Sequence, residues 1–114
     1  MLRIASCWQI SDADIAVMLG VSAPTVRRWK QQMRRGNLRI RSSVELPERL
    51  SLISGIYKNL QILFDSTSQA DGWLKRANTS EVFNGRSALE FVLDGRVESL
   101  RQLRRHLDVT VWAL

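Results

Sequence analysis

The sequence of 114 residues predicts an all-α protein in which an N-terminal helix-turn-helix module precedes a C-terminal helical bundle. Apolar residues recur at steps of three and four in several segments, as they do on one face of a helix. No segment alternates between apolar and polar residues in the way that predicts a half-buried strand. Helix-capping serines and glycines flank the periodic segments. Since 45% of the residues are hydrophobic and 25% are charged, the chain can form a folded core.

The first predicted helix begins at about Asp12 and ends before Gly20. Ser11 precedes it as a capping residue, and the acidic residues of its first turn are favoured there by the helix dipole. Ile15 and Leu19 lie on its apolar face. Gly20 readily adopts the positive φ that ends many helices.

The second predicted helix follows after only two residues, so the two helices meet at a tight turn. Ser22 can cap it, and a proline in its first turn loses no hydrogen bond there. The helix runs to about Met33 or Arg35, with Val26 and Trp29 turned inward.

The segment 35–46 shows no sustained period and contains a glycine, an asparagine and two serines, which predicts a linker. We therefore expect two units. Residues 1–41 form the helix-turn-helix module, and residues 46–114 form the helical bundle.

Four helices are predicted in the C-terminal part. They span residues 47 to about 65, 68–75, 87–93 with a closing glycine at 95, and 97–107. Residues 78–85 read as a turn-rich connection. Leu52 and Ile62 lie off the apolar stripe of the long helix, which indicates that this helix is covered on more than one side or used at an interface.

The positive charge is concentrated in one part of the chain. Residues 1–41 carry eight basic and two acidic residues, whereas residues 42–114 carry nine of each. A compact basic region is typical of proteins that bind polyphosphates, because each neutralised phosphate releases counterions. The alternative is a basic helix face that is merely solvated.

The pattern of small and apolar residues in the segment from Asp12 to Lys30 is typical of a DNA-binding helix-turn-helix. A helix-turn-helix needs a small residue where the helices touch, a glycine in the turn and apolar residues that hold the pair, and Ala16, Gly20 and Val26 meet these needs. The N-terminal part of the second helix then enters the major groove. The residues predicted to lie at DNA are Ser22, Ala23, Thr25, Arg27, Arg28, Lys30, Arg34 and Arg35.

Different roles are expected along this helix. Arg27 and Arg28 are the candidates for reading bases, because a guanidinium can donate two hydrogen bonds to guanine. Lys30, Arg34 and Arg35 lie further along and are expected to contact phosphates. Because such readers bind paired half-sites, we expect a homodimer on operator DNA.

Other function classes have little support in the sequence. A single cysteine, Cys7, and a single histidine, His106, leave no metal-ligand cluster and no nucleophile–base pairing, so we expect no enzyme activity, metal or cofactor. The apolar run from Ile15 to Leu19 is too short to span a membrane, and no signal peptide is evident. The expected compartment is the cytoplasm.

From Leu46 onward the chain resembles the toxin-binding domain of the Xre/MbcA/ParS antitoxin family. The resemblance is carried, in order, by residues 50–57, 63–64, 70–74, Asn78, 85–89, 93–95 and 104–108, preceded by residues 19–22 and 26–29. Ala77 and Ala88 stand where the family commonly has proline.

The resemblance implies an antitoxin of a type II toxin–antitoxin system, which masks a RES-domain toxin that consumes NAD and represses its own operon. The residues expected to bind the toxin are Arg101, Arg105, Val109, Val111, Trp112 and Leu114. Two alternatives stay open. The protein could be a stand-alone transcriptional regulator whose bundle dimerises or senses a ligand, and Trp112 could fold back on the bundle.

Overall fold

A computed structural model describes residues 1–37 and 45–114, and within these ranges the predicted all-α fold is confirmed. The α-helices are α1 (Leu2–Trp8), α2 (Asp12–Leu19), α3 (Ala23–Arg34), α4 (Leu46–Leu63), α5 (Thr67–Gly72), α6 (Ala88–Val92) and α7 (Val97–Trp112). Two 3-10 turns cover Trp73–Lys75 and Glu81–Phe83. Most of the predicted linker, with Arg39 and Arg41, lies outside the described residues, so the division at residues 41 and 46 stays a prediction.

Helices α2 and α3 begin and end where the sequence places them. The Ser11 side chain accepts a hydrogen bond from the backbone N–H of Asp14 at 3.1 Å, and Gly20 ends α2 with a φ of 70°. The Ser22 side chain accepts from the backbone N–H of Thr25 at 3.2 Å and caps α3. Each cap satisfies an amide that the helix leaves without a partner.

Helix α1 was not among the predicted helices. It has no side-chain cap, and it ends at Gln9 in the left-handed region with a φ of 55°. Its buried residues are Ala5 and Trp8, and the Trp8 ring packs edge-on against Tyr57 at 6.1 Å. Tertiary packing therefore stabilises a helix that is too short to be stable alone.

Helices α4 and α7 run in the same direction and form the centre of the bundle. Glu48 pairs with Arg101 near the start of both helices, and the Asn59 side chain donates to Asp108 at 2.7 Å near their ends. Between these contacts lies a core of almost fully buried aliphatic side chains: Ile53, Ile56, Leu60, Leu100, Leu103 and Leu107.

Helix α7 extends to Trp112, so the predicted end at Leu107 is wrong. No glycine or proline follows Leu107 to stop the helix. Asp108 accepts from the Arg104 side chain at 3.1 Å, and the Thr110 hydroxyl donates to the carbonyl of His106 at 2.9 Å. The ion pair between Arg104 and Asp108, four residues apart, supports the helix across its predicted end.

The connection between α5 and α6 contains a core residue. Phe83 is fully buried, and its ring packs edge-on against Trp73, Phe91 and His106 at 5.3–6.1 Å. His106 is therefore half-buried against an aromatic ring rather than a plain surface residue. The segment is turn-rich, as predicted, but through Phe83 it also contributes to the core of the bundle.

Asp94 organises the start of α7. Its carboxylate accepts from the Ser99 hydroxyl at 2.6 Å and from the backbone N–H of Arg96 at 2.9 Å. Desolvation acts to raise the pKa of Asp94, but these hydrogen bonds and the positive charges of Arg96 and Arg86 outweigh it and hold that pKa below its usual value. The carboxylate is thus more stable in the folded protein than in the unfolded chain.

Candidate nucleic-acid interface and apolar helix end

Helix α3 has one buried and one charged side. Val26 and Trp29 are buried against the rest of the protein. The exposed arginines lie on the other side of the helix, where Arg27 and Arg34 are seven residues, or about two turns, apart, as are Arg28 and Arg35. We call this surface the arginine face. It consists of Arg27, Arg28, Arg34 and Arg35, all of which are exposed.

Within residues 1–37 and 45–114, no carboxylate lies within ion-pair distance of the arginine face. Three of these cations therefore lie along a helix of 12 residues, which is about 18 Å long at a rise of 1.5 Å per residue, and Arg35 follows as its C-cap residue. Like charges at this density repel one another, and a polyanion would relieve that repulsion.

The other predicted DNA contacts are placed differently. Lys30 is half-buried and forms an ion pair with Asp12 of α2, which joins the two helices. The hydroxyl groups of Ser22 and Thr25 lie 2.8 Å apart and take part in the cap of α3. Ala23 is half-buried in the first turn. The arginine face is thus the part of the predicted site whose side chains have no partner in the described chain.

A second exposed surface lies at the C-terminal end of the bundle. The exposed fraction is 88% for Trp112, 80% for Leu114 and 64% for Val109. Ile62, near the end of α4, is 52% exposed and lies at the same end because α4 and α7 run in parallel. We call these four residues the apolar end. The exposure of Trp112 overturns the alternative in which its ring folds back on the bundle.

The remaining residues expected to bind the toxin flank the apolar end or lie further back along α7. Val111 is half-buried. Arg101 forms ion pairs with Glu48 at 2.7 Å and Glu98 at 3.2 Å, and its hydrogen bonds with these carboxylates raise its pKa. Arg105 is exposed and has no carboxylate partner among the described residues.

Ile62 is the residue that the predicted site lacks. Its position off the apolar stripe of α4 is visible in the sequence and indicates a helix that is covered on more than one side or used at an interface. What the sequence did not reveal is that α4 and α7 run in parallel, which brings Ile62 to the same end as Trp112.

An apolar pocket of about 290 Å³ lies between α1, α2, α3 and α4. Its lining includes Leu2, Leu19, Trp29 and Leu50, and among the described residues that line it only Arg3 is charged. Ligand sites of this kind normally add several converging polar groups that fix orientation. The pocket therefore offers weak support for the ligand-sensing alternative.

The described residues include neither a membrane-spanning helix nor a cluster of metal ligands. No helix in residues 1–37 or 45–114 is long and apolar enough to cross a membrane. In the same part of the chain, no group of three or more His, Cys, Asp or Glu side chains could hold a metal ion.

The chain is similar to a protein of a rhizobial bacterium. The chain is 38% identical over 107 residues to the uncharacterized protein y4oB of Sinorhizobium fredii (strain NBRC 101917 / NGR234), and the alignment covers 93% of this chain and 77% of the relative. No family model matches the chain. No solved structure matches it either.

Proposed function

The chain belongs to the family of the uncharacterized protein y4oB, and we propose from its own residues that it is an antitoxin of a type II toxin–antitoxin pair. In this proposal it binds and masks a RES-domain toxin that consumes NAD, and it represses its own operon by binding DNA. The observation that carries the proposal is that one small chain holds two surfaces of different chemistry, the arginine face and the apolar end, neither of which has a partner in residues 1–37 and 45–114.

The arginine face supports the DNA-binding half of the proposal. In the helix-turn-helix mode, the N-terminal part of α3 lies in the major groove, where Arg27 and Arg28 read base edges and Arg34 and Arg35 contact phosphates. Lys30 has a smaller role than the sequence predicts, because a phosphate would compete with Asp12 for its ammonium group.

The apolar end supports the toxin-binding half. A tryptophan that is 88% exposed leaves a large apolar area in water, and tryptophan is among the residues that most often dominate protein interfaces. The exposed Arg105 adds a cation beside it that could pair with a carboxylate on the toxin. In a stand-alone regulator whose bundle senses a ligand, this surface has no assigned partner; in one whose bundle dimerises, a second copy would cover it.

Co-expression tests the toxin-binding half directly. The protein encoded beside this gene is expressed alone and together with the chain, and growth and cellular NAD are measured. We expect NAD loss with the neighbour alone and recovery when the chain is present. If the neighbour is harmless, or if it stays toxic beside the folded chain, the antitoxin assignment is wrong and the stand-alone regulator replaces it.

The DNA-binding half is tested on the promoter region of the gene. We expect a dimer to protect two half-sites about one helical turn apart, since one α3 covers one half-site. Footprinting and light scattering of the complex measure the protected span and the stoichiometry. A monomer bound to one unpaired half-site would refute the homodimer.

A further inference from the structure

A buried arginine in α4 joins three distant parts of the chain. Only 6% of Arg49 is exposed. Its guanidinium donates to the carbonyl of Met18 at 3.2 Å, to the carbonyl of Gly95 at 2.9 Å, and twice to the Glu45 carboxylate at 3.2 and 2.9 Å. The end of α2, the start of α4 and the turn before α7 therefore meet at one side chain.

The chain around Arg49 accommodates this contact. A Cβ atom at Gly20 would lie 3.2 Å from Nε of Arg49, which is closer than ordinary van der Waals contact. Because Gly20 has no side chain, it adopts the positive φ that ends α2 without strain and leaves room for the guanidinium of Arg49.

Arg49 also supplies what α2 lacks. The last turn of α2 contains no basic residue, so nothing in that helix offsets the partial negative charge at its C-terminal end. The Arg49 guanidinium provides that positive charge from α4. Separating the three segments would leave the buried guanidinium without hydrogen-bond partners, which costs free energy. This cost keeps the segments together.

We propose that Arg49 is a positioning residue that fixes α2 and α3, and with them the arginine face, relative to α4 and α7. The fixed orientation of α2 and α3 relative to α4 and α7, which we call the mechanical part, follows from the contacts of Arg49 alone. Its consequence for DNA rests on the proposed function. In a dimer held through the bundle, the orientation of α3 relative to α4 would set the spacing of half-sites that both subunits can read together.

Distance measurements between spin labels test the mechanical part without DNA. Labels are attached to cysteines that replace the exposed Gln31 on α3 and Lys58 on α4, in a Cys7→Ser background. Arg49→Met should broaden the distribution of distances between the labels. Arg49→Lys should give an intermediate width, because an ammonium keeps the charge but lacks the planar fork that reaches several acceptors.

Arg104→Met is the matched control. The Arg104 side chain also lies against α4, at Gly55, but it pairs with Asp108 and reaches neither α2 nor Gly95, so the distribution should keep its wild-type width. An unchanged width in folded Arg49→Met would overturn the proposal. If circular dichroism shows that Arg49→Met is unfolded, the test uses Arg49→Lys instead. A distance distribution of wild-type width in Arg49→Lys would then overturn the proposal.

Operator binding then tests the functional consequence. Half-sites are placed at the natural spacing and at spacings altered by two base pairs, and the ratio of affinities is measured for each variant. We expect wild type to prefer one spacing at least tenfold and Arg49→Lys to lose most of that preference, whereas simple destabilisation would weaken all spacings equally. A wild-type protein that binds no DNA would refute the proposed function and leave the distance result standing.

Discussion

Replacement of Trp112 by alanine is the sharpest test of the apolar end. The indole is 88% exposed, so the folded chain alone gains little from it. We expect the free energy of unfolding to change by no more than about 0.5 kcal/mol, as for most surface substitutions. Chemical denaturation followed by circular dichroism measures this change.

The effect on toxin binding should be much larger. A tryptophan side chain can bury about 150–250 Å² in an interface, which at about 25 cal/mol per Å² corresponds to an upper bound of about 4–6 kcal/mol. Truncation of a hot-spot residue, a class in which tryptophan is enriched, commonly costs about 2–4 kcal/mol. We therefore expect Kd for the toxin to rise by about 30- to 1000-fold, since about 1.4 kcal/mol is a factor of ten.

The assay is titration of the toxin's NAD consumption with wild-type or variant protein. Val17→Ala is the matched control, because Val17 is also an exposed apolar residue but lies on α2, away from the apolar end. The control should mask the toxin as wild type does. A folded Trp112→Ala protein with a Kd within threefold of wild type would show that the apolar end is not the toxin contact.

Three further predictions concern other residues. Arg27→Ala should weaken operator binding by about 1–3 kcal/mol and relax the preference at one base pair. Arg34→Ala should weaken binding to all DNA sequences alike and reduce the slope of log K against log salt concentration by about 1. Titrations of operator and random DNA at several salt concentrations measure both effects. Phe83→Ala should cost about 3–5 kcal/mol of stability because it empties a fully buried aromatic site, and a denaturant midpoint near wild type would contradict that packing. Asp94→Asn should lower the free energy of unfolding at neutral pH, and the difference from wild type should shrink as pH falls below about 4. The reason is that a carboxylate with a lowered pKa stabilises the fold fully above its unfolded pKa of about 3.9 and loses that contribution in acid. Denaturation curves from pH 2 to 7 measure the difference, and a difference that does not change with pH would contradict the prediction.

The parts of the fold that were predictable are those set by local chemistry. Ser11, Gly20 and Ser22 determine the ends of α2 and α3 through caps and backbone conformation, and these act within a few residues. The capping box of Ser87 and Glu90 at the start of α6 is of the same kind. Such signals depend little on what packs against the helix.

The parts that were missed depend on contacts between distant residues. Helix α1 has no cap of its own and is stabilised by burial of Trp8, which periodicity over seven residues does not reveal. Lys30 looks like a free cation in the sequence, but Asp12, 18 positions away, occupies its ammonium group. Arg49 looks like one more basic residue in a neutral half, because its partners at Met18 and Gly95 become neighbours only in the folded chain.

The longer α7 changes how the apolar end can engage a toxin. A loose apolar tail could thread into a concave active site, but Val109 and Trp112 belong to a helix that runs beside α4 and is fixed to it through the bond between Asn59 and Asp108. A helix whose backbone hydrogen bonds are already satisfied binds by laying one face into a groove, with anchors three or four residues apart. Val109 and Trp112 have that spacing. If the proposed antitoxin function holds, the toxin surface that fits this chain is an apolar groove that receives the end of a helix. Deletion of residues 109–114 would then remove a turn of folded structure together with the proposed contact.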